Sequence, residues 1–200
     1  MLMKIKKRWL QVSAETKSTN SVKEIFQWAQ SIIIAIVIAL LIRAFIFEPV
    51  LVDGHSMDNT LNNGQRLIEY KLGYFFSHPK RGDIIVLQYQ KGILKFLPLP
   101  DPKEIDYIKR VIGVPGDKID IRDGNVYING DELEEPYAKG KTLPLGMKFP
   151  DVVPPNNVFV LGDNRENSSD SRRIGYIDYS RIRGKATFEI WPFKDIGRIK

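Results

Sequence analysis

The chain has 200 residues, 43% of them hydrophobic, and a net charge of +6, which is enough for one ordinary domain, or a modest domain with an appendage. It contains no cysteine, so a disulfide framework and a thiolate zinc site are excluded, and its two histidines, His55 and His78, leave little scope for histidine chemistry. The basic balance is a poor argument for nucleic acid: residues 1–30 hold six basic side chains against two acidic ones, hence +4 of the +6, and no Arg-rich helix or basic-aromatic stripe occurs beyond them.

The appendage comes first. From Trp28 to Phe47 the only strongly polar residues are Gln30 and Arg43, and twenty residues of helix span about 30 Å, the thickness of a bilayer's hydrocarbon core. A cleavable leader starts nearer the N-terminus, has a shorter apolar core and ends in a small-x-small site, whereas Glu48-Pro49-Val50 comes next here. A buried core helix is the other alternative, opposed by the run Ile32 to Ile42, apolar on every helical face. Arg43 is near enough to the end to snorkel. The reading is a basic cytoplasmic segment over 1–27, a transmembrane helix over 28–47 and an extracytoplasmic domain over 48–200, held in the plasma membrane by one pass with the positive flank inside.

Beyond the helix, short β-branched runs alternate with turn signals. Strands are predicted at Asp83–Tyr89, Lys118–Arg122, Asn125–Ile128, Asn157–Leu161 and Lys185–Ile190, with Asp123-Gly124 joining the second and third as a hairpin and Asn129-Gly130 marking the next turn. No helical period is long enough for βαβ units, so the fold class is mainly β, an antiparallel domain behind a single helix. Proline-rich stretches at Phe96–Lys103 and Leu143–Pro155 read as long connections. The apolar residues of Gly92–Leu99 suit either the lipid interface or a buried hairpin edge.

Three segments could carry chemistry. In Asp53-Gly54-His55-Ser56-Met57, a serine near a glycine can expose its hydroxyl at a sharp turn and leave its own N–H free for an oxyanion, although serines in turns are common. His55, adjacent to Ser56, is read as a turn residue and not as a base. In Tyr107–Asp117, Lys109 ends a predicted strand before the tight turn Gly113-Val114-Pro115-Gly116-Asp117. A strand lysine is usually a solvated edge charge, but one desolvated by Ile108, Val111 and Ile112 could act as a base. The third, Gly162–Arg172, is a polar run after an apolar strand. It fails as a calcium loop, because Arg165 falls on a ligand position and the sixth-position glycine is missing; a surface loop held by an Asp170–Arg172 pair remains open.

In order and spacing these segments, with Arg81-Gly82-Asp83-Ile84-Ile85 between the first two, resemble the type I signal peptidases of bacteria, from the membrane segment to the C-terminus. The resemblance implies a serine endopeptidase in which Ser56 attacks the scissile carbonyl, Lys109 is the general base, and Ser168 orients the Lys109 amine. Asp163, Asp170 and Arg172 would be supporting members of the site, and the Ser56 N–H an oxyanion donor. It further implies no metal or cofactor, and as partners the bilayer and the signal peptides of exported precursors, with small residues at the first and third positions before the cut. Two departures stand out. Asn59 occupies a position where many members have proline, and Gly54 one where some place a serine hydroxyl in the oxyanion hole, which leaves the second donor unnamed.

The expected function is therefore removal of signal peptides by a membrane-anchored Ser-Lys peptidase. Its rivals are a soluble Ser-Lys self-cleaving protease, which would bring a DNA-binding region where this chain has an apolar helix, and an inactive anchored β module that binds exported peptides without cutting them.

Overall fold

Backbone pairing in this chain is set by turn chemistry and by alternating apolar residues. The computed structural model describes residues 2–90 and 105–199, and the chain divides after Arg43 into two compact units. In the first, helix α1 (Leu2–Phe45) contains a 23-residue stretch, Lys23–Phe45, of mean hydropathy 2.4, long and apolar enough to cross a bilayer. The predicted span runs two residues too far: Glu48-Pro49 favours extended backbone, and Phe47 already belongs to the first strand.

The second unit is antiparallel β throughout its named strand pairs. Its larger sheet combines β1 (Phe47–Leu51), β2 (Arg66–Tyr70), β3 (Ile84–Gln90) and β4 (Ile105–Gly113) with strands from the C-terminal half. The smaller sheet holds β5 (Lys118–Arg122), β6 (Asn125–Ile128), β7 (Asp131–Glu132) and β8 (Asp151–Val152). Next come β9 (Asn157–Leu161), β10 (Ile177–Asp178), β11 (Ile182–Trp191) and β12 (Gly197–Arg198), which return to the larger sheet. Its path is β1-β2-β11-β3-β4-β9-β10, with β12 on β11. Two one-turn helices, α2 (Gly73–Phe76) and α3 (Ser171–Ile174), sit in connections.

The hairpin turns behave as their sequences require. Asp123 and Gly124 have φ of 51° and 91°, and Asn129 and Gly130 have 57° and 105°, the paired positive values of a two-residue turn whose twist matches the strands it joins. Gly116, at φ 86°, lets Asp117 N–H bond the Val114 carbonyl at 3.0 Å, a tight turn with Pro115 at its first corner.

Three predictions shift. The last long strand, expected over Lys185–Ile190, runs Ile182–Trp191, and the connection Leu143–Pro155 contains β8. Lys109 lies in the middle of β4 and not at its end. The connection Phe96–Lys103 and the apolar Gly92–Leu99 fall outside the described residues.

The core of this unit forms three clusters. One joins Val52, Met57, Leu61 and Leu67 to Ile84, Val86, Ile108 and Ala186. Its members from the segment after β1 are what anchor the loop carrying Ser56.

Candidate active site

Ser56 is held in place by the residues on its C-terminal side. Met57 and Leu61 are 2% and 0% exposed in the core, and Leu61 N–H bonds the Met57 carbonyl at 2.8 Å, so the chain makes a helical turn immediately after the serine. The base of the loop is closed by Val52 N–H on the Gln65 carbonyl and Gly64 N–H on the Val52 carbonyl, at 2.8 and 2.9 Å. Gly54 has φ 107°, where an L side chain is strained, so its side-chain hydrogen follows from backbone geometry. Asn59 has φ 86°, which proline's ring cannot adopt, so the departure at this position is structural: asparagine tolerates the left-handed turn.

Lys109 reaches the serine from β4. Its Nζ is 2.8 Å from Ser56 Oγ and donates to the Ile108 carbonyl at 2.9 Å, in a residue only 3% exposed. Burial pulls its pKa down from 10.5 to about 8, against the opposing fields of Asp170 and Asp163. The solvated edge lysine is thereby excluded.

The third segment is not a surface loop. β9 pairs with β4 at Leu161 and Arg110, so Gly162 and Asp163 leave the sheet beside the lysine's strand. Arg110 forks onto Asp163 at 2.9 and 2.7 Å, and Thr60 donates to the same carboxylate at 2.5 Å. Arg172 forks onto Asp170 at 2.8 Å through both nitrogens, while Asp170 also accepts the Gly162 N–H at 3.0 Å. Each carboxylate is thus clamped by its own guanidinium, which limits how far it can hold the Lys109 ammonium charged.

The same segment grips the serine loop. Asn164 N–H bonds the Ser56 carbonyl at 3.0 Å, and its side-chain amide bonds the His55 carbonyl at 2.9 Å. A Cβ on Gly162 would lie 2.5 Å from the Ser56 carbonyl oxygen and collide with Ser168, so only glycine permits this approach. His55 has an exposed ring paired with Asp58 at 3.3 Å. The Ser168 hydroxyl is buried and has no hydrogen-bond partner among the described residues; the polar contacts of the Lys109 amine among them go elsewhere, to Ser56 and Ile108.

Sequence reasoning assigned no role to Arg110, Thr60, Asn164, Arg165 or Glu135. Arg165, 2% exposed, forks onto Glu135 at 2.6 and 2.7 Å and donates to the Gly162 carbonyl at 3.0 Å. For Arg110, Asn164 and Arg165 the available signal was their place inside the same short segments, since polar groups flanking a candidate base set its field and its position; Thr60 and Glu135 lie outside those segments.

A cleft of about 450 Å³ opens at the dyad, lined by Glu48 to Gly54, Ser56, Met57, Glu69, Asp106 to Lys109 and Arg183. Two strand edges border it. β1 is an edge strand, and β4 is joined to β9 only from Arg110 onward, so the edge of Asp106–Lys109 facing the cleft has no strand partner among the described residues. The Ser56 N–H likewise donates to no protein acceptor among them. Together these groups can accommodate an extended peptide, a nucleophile with an adjacent amine, and an oxyanion.

The family model described as "Signal peptidase, peptidase S26" matches residues 25–191. Signal peptidase I of Bacillus licheniformis is 43% identical over 191 residues, covering 91% of this chain and 97% of that one. Signal peptidase I T of Bacillus subtilis strain 168 is 38% identical over 202 residues, 93% of this chain and 99% of its own. Signal peptidase IB of Staphylococcus aureus strain COL is 36% identical over 189 residues, 86% and 93% respectively.

Proposed function

We propose that this chain, which belongs to the S26 signal peptidase family and is a serine endopeptidase, cleaves signal peptides from exported precursors with Ser56 as nucleophile and Lys109 as general base. The observation that carries the dyad is the 2.8 Å contact between Lys109 Nζ and Ser56 Oγ at a lysine 3% exposed.

The chemistry depends on the protonation state. A neutral Lys109 amine donates one N–H to the Ile108 carbonyl, which aims its lone pair at the Ser56 hydroxyl. Ser56 Oγ attacks the scissile carbonyl carbon as its proton passes to Nζ, and the oxyanion takes a hydrogen bond from the Ser56 N–H. The Lys109 ammonium then protonates the leaving amine as the C–N bond breaks. In the second half the neutral amine deprotonates water, which attacks the acyl carbon and releases Ser56. The Ser168 hydroxyl, buried and without a hydrogen-bond partner among the described residues, is the group that would turn to the Lys109 amine and orient it as the proton moves.

The substrate lies extended between the edges of β1 and β4, and alternate side chains then point into the cleft. Small residues at the first and third positions before the cut fit that arrangement. The apolar Lys23–Phe45 stretch anchors the enzyme in the same bilayer as the precursor's signal helix, with the basic flank in the cytoplasm and the β unit outside, and the shared bilayer raises effective concentration.

The test uses the full chain in detergent with a precursor. Ser56→Ala and Lys109→Met should each abolish cleavage while circular dichroism stays unchanged; normal turnover by folded Lys109→Met refutes the dyad. Ser168→Ala should lower kcat about tenfold, the equivalent of one hydrogen bond that the hydroxyl makes to the Lys109 amine during the reaction and not in the resting structure.

A further inference from the structure

None of the described residues lining the cleft comes from the smaller sheet, yet the connection between its strands β7 and β8 reaches the groups that support the dyad. There the chain crosses the segment after β9. Lys139 N–H bonds the Asp163 carbonyl at 2.7 Å, Arg165 N–H returns to the Lys139 carbonyl at 2.9 Å, and Gly146 N–H bonds the Arg172 carbonyl at 3.0 Å. Two residues before Lys139 comes Tyr137, half-buried against the core of the smaller sheet. The Arg110 guanidinium carbon lies over its ring, 3.9 Å from the centre, and its hydroxyl donates to Glu135 at 3.1 Å.

Arg110 is 5% exposed and its donors are occupied around the edge of the guanidinium plane: besides the fork onto Asp163, it bonds the Gly82 carbonyl and the Thr60 hydroxyl, each at 3.2 Å. The face of that plane is what Tyr137 covers. A ring's negative face attracts a cation, and the stack keeps water off it. Asp163, in turn, is one of two carboxylates whose fields hold a proton on Lys109, the other being Asp170 under Arg172. The remaining neighbours of the Lys109 amine are Ser56, the Ile108 carbonyl and the Tyr107 ring at 5.0 Å. Tyr137 itself is faced by Glu135, Arg110 and Arg165.

We infer that Tyr137 is a positioning residue of the reaction: its ring holds the Arg110 guanidinium flat on Asp163, and so sets the field in which Lys109 gives up its proton. This rests on the peptidase reading. The path is electrostatic. With the ring in place, the Asp163 charge is spent on a dry, fixed guanidinium. Without it, water reaches the face of Arg110 and loosens the fork, and the less compensated carboxylate holds the Lys109 ammonium more firmly. The smaller sheet thus acts on the dyad from outside the cleft, through the connection that carries Tyr137.

The experiment measures kcat/KM of the full chain in detergent against pH, with a precursor as substrate, the rate rising as Lys109 loses its proton. Tyr137→Phe keeps the ring, and Glu135 keeps its fork onto Arg165, so the ascending limb should stay where the parent has it. Pentafluorophenylalanine at position 137 has nearly the same shape with its quadrupole reversed, and Tyr137→Leu has no ring. In both, the limb should move up by about half a pH unit, which at pH 7 is about a threefold loss of kcat/KM with the plateau kept. A residue that only supports the fold would lower the whole profile without moving it. A limb that coincides in the phenylalanine and fluorinated proteins overturns the assignment, whether or not Tyr137→Leu folds. The shift should also be lost when Asp163 is already asparagine, and one that survives there runs by another route and counts equally against it. If the wild-type chain cleaves no precursor, the peptidase reading fails instead. Lys109 is then titrated directly, by NMR of isotope-labelled lysine in the full chain, and equal titration in the phenylalanine and fluorinated proteins overturns the role of the ring.

Discussion

Lys109 is both buried and ionisable, and the rate should record the consequence. With its pKa at about 8, about a tenth of the enzyme holds the neutral amine at pH 7. Because the base must be neutral before it can take the Ser56 proton, kcat/KM should climb about tenfold per pH unit below 8 and level above it. An ascending limb centred near 10.5 would mean that burial does not tune this lysine. The neighbouring charges make a second expectation. Asp163 holds the Lys109 ammonium in place against burial while Arg110 compensates Asp163. Asp163→Asn removes the anion and leaves the cation, so the limb should move to lower pH even as the protein loses stability. A purely structural role for Asp163 would lower activity without moving the limb.

Among the elements, the decisive contact is between the serine loop and the segment after β9. Gly162 allows the Ser56 carbonyl to approach within reach of the Asn164 N–H, and backbone on one side cannot yield to an added methyl. Gly162→Ala should cost about 1–3 kcal/mol of stability by overpacking. It should also lower kcat/KM about a hundredfold, because a displacement of about 1 Å at the nucleophile has that effect. Undiminished kcat/KM in the alanine variant would show that the loop is not fixed at this point. These elements were unequally legible in the sequence. The hairpins at Asp123-Gly124 and Asn129-Gly130 were readable because positive φ demands those residue types locally. Ser56, Lys109 and the polar segment were readable as short patterns in a fixed order. Arg110, Arg165 and Glu69 were not given roles, since a charge in a strand or loop reads as solvated until the partners that bury it are known. Those partners, Asp163, Glu135 and the walls of the cleft, are remote in sequence. The break between α1 and β1 was misplaced by two residues because Ile46 and Phe47 continue the apolar pattern while the adjoining Glu48-Pro49 already commits the backbone to a strand.

For the whole molecule, the cleft places two ionisable side chains of opposite type where burial disfavours charge, and each leaves its mark on stability in its own pH window. Glu69 has its pKa raised from 4.5 to about 7, so between those values the native state keeps a proton that the unfolded chain releases. Folding stability from this group is present below 4.5 and falls as pH rises to 7, by about 3 kcal/mol. Lys109 has its pKa lowered from 10.5 to about 8, so the unfolded chain holds the extra proton between those values. Its contribution rises with pH from 8 to 10.5, again by about 3 kcal/mol. The two together put the least stable interval at pH 7 to 8, where Glu69 is becoming anionic and Lys109 is still largely protonated. Other carboxylates titrate too, so the difference between variant and parent isolates each group. Urea unfolding of the full chain in detergent, monitored by circular dichroism, should find Glu69→Gln gaining on the parent from pH 4.5 to 7 and keeping that gain above. Lys109→Met should show its largest gain below pH 8 and lose it by 10.5, apart from the lost hydrogen bond to Ser56, which shifts every point alike. Differences that stay constant with pH would mean that neither group is desolvated in the native state, and the explanation for a neutral Lys109 near physiological pH would go with them.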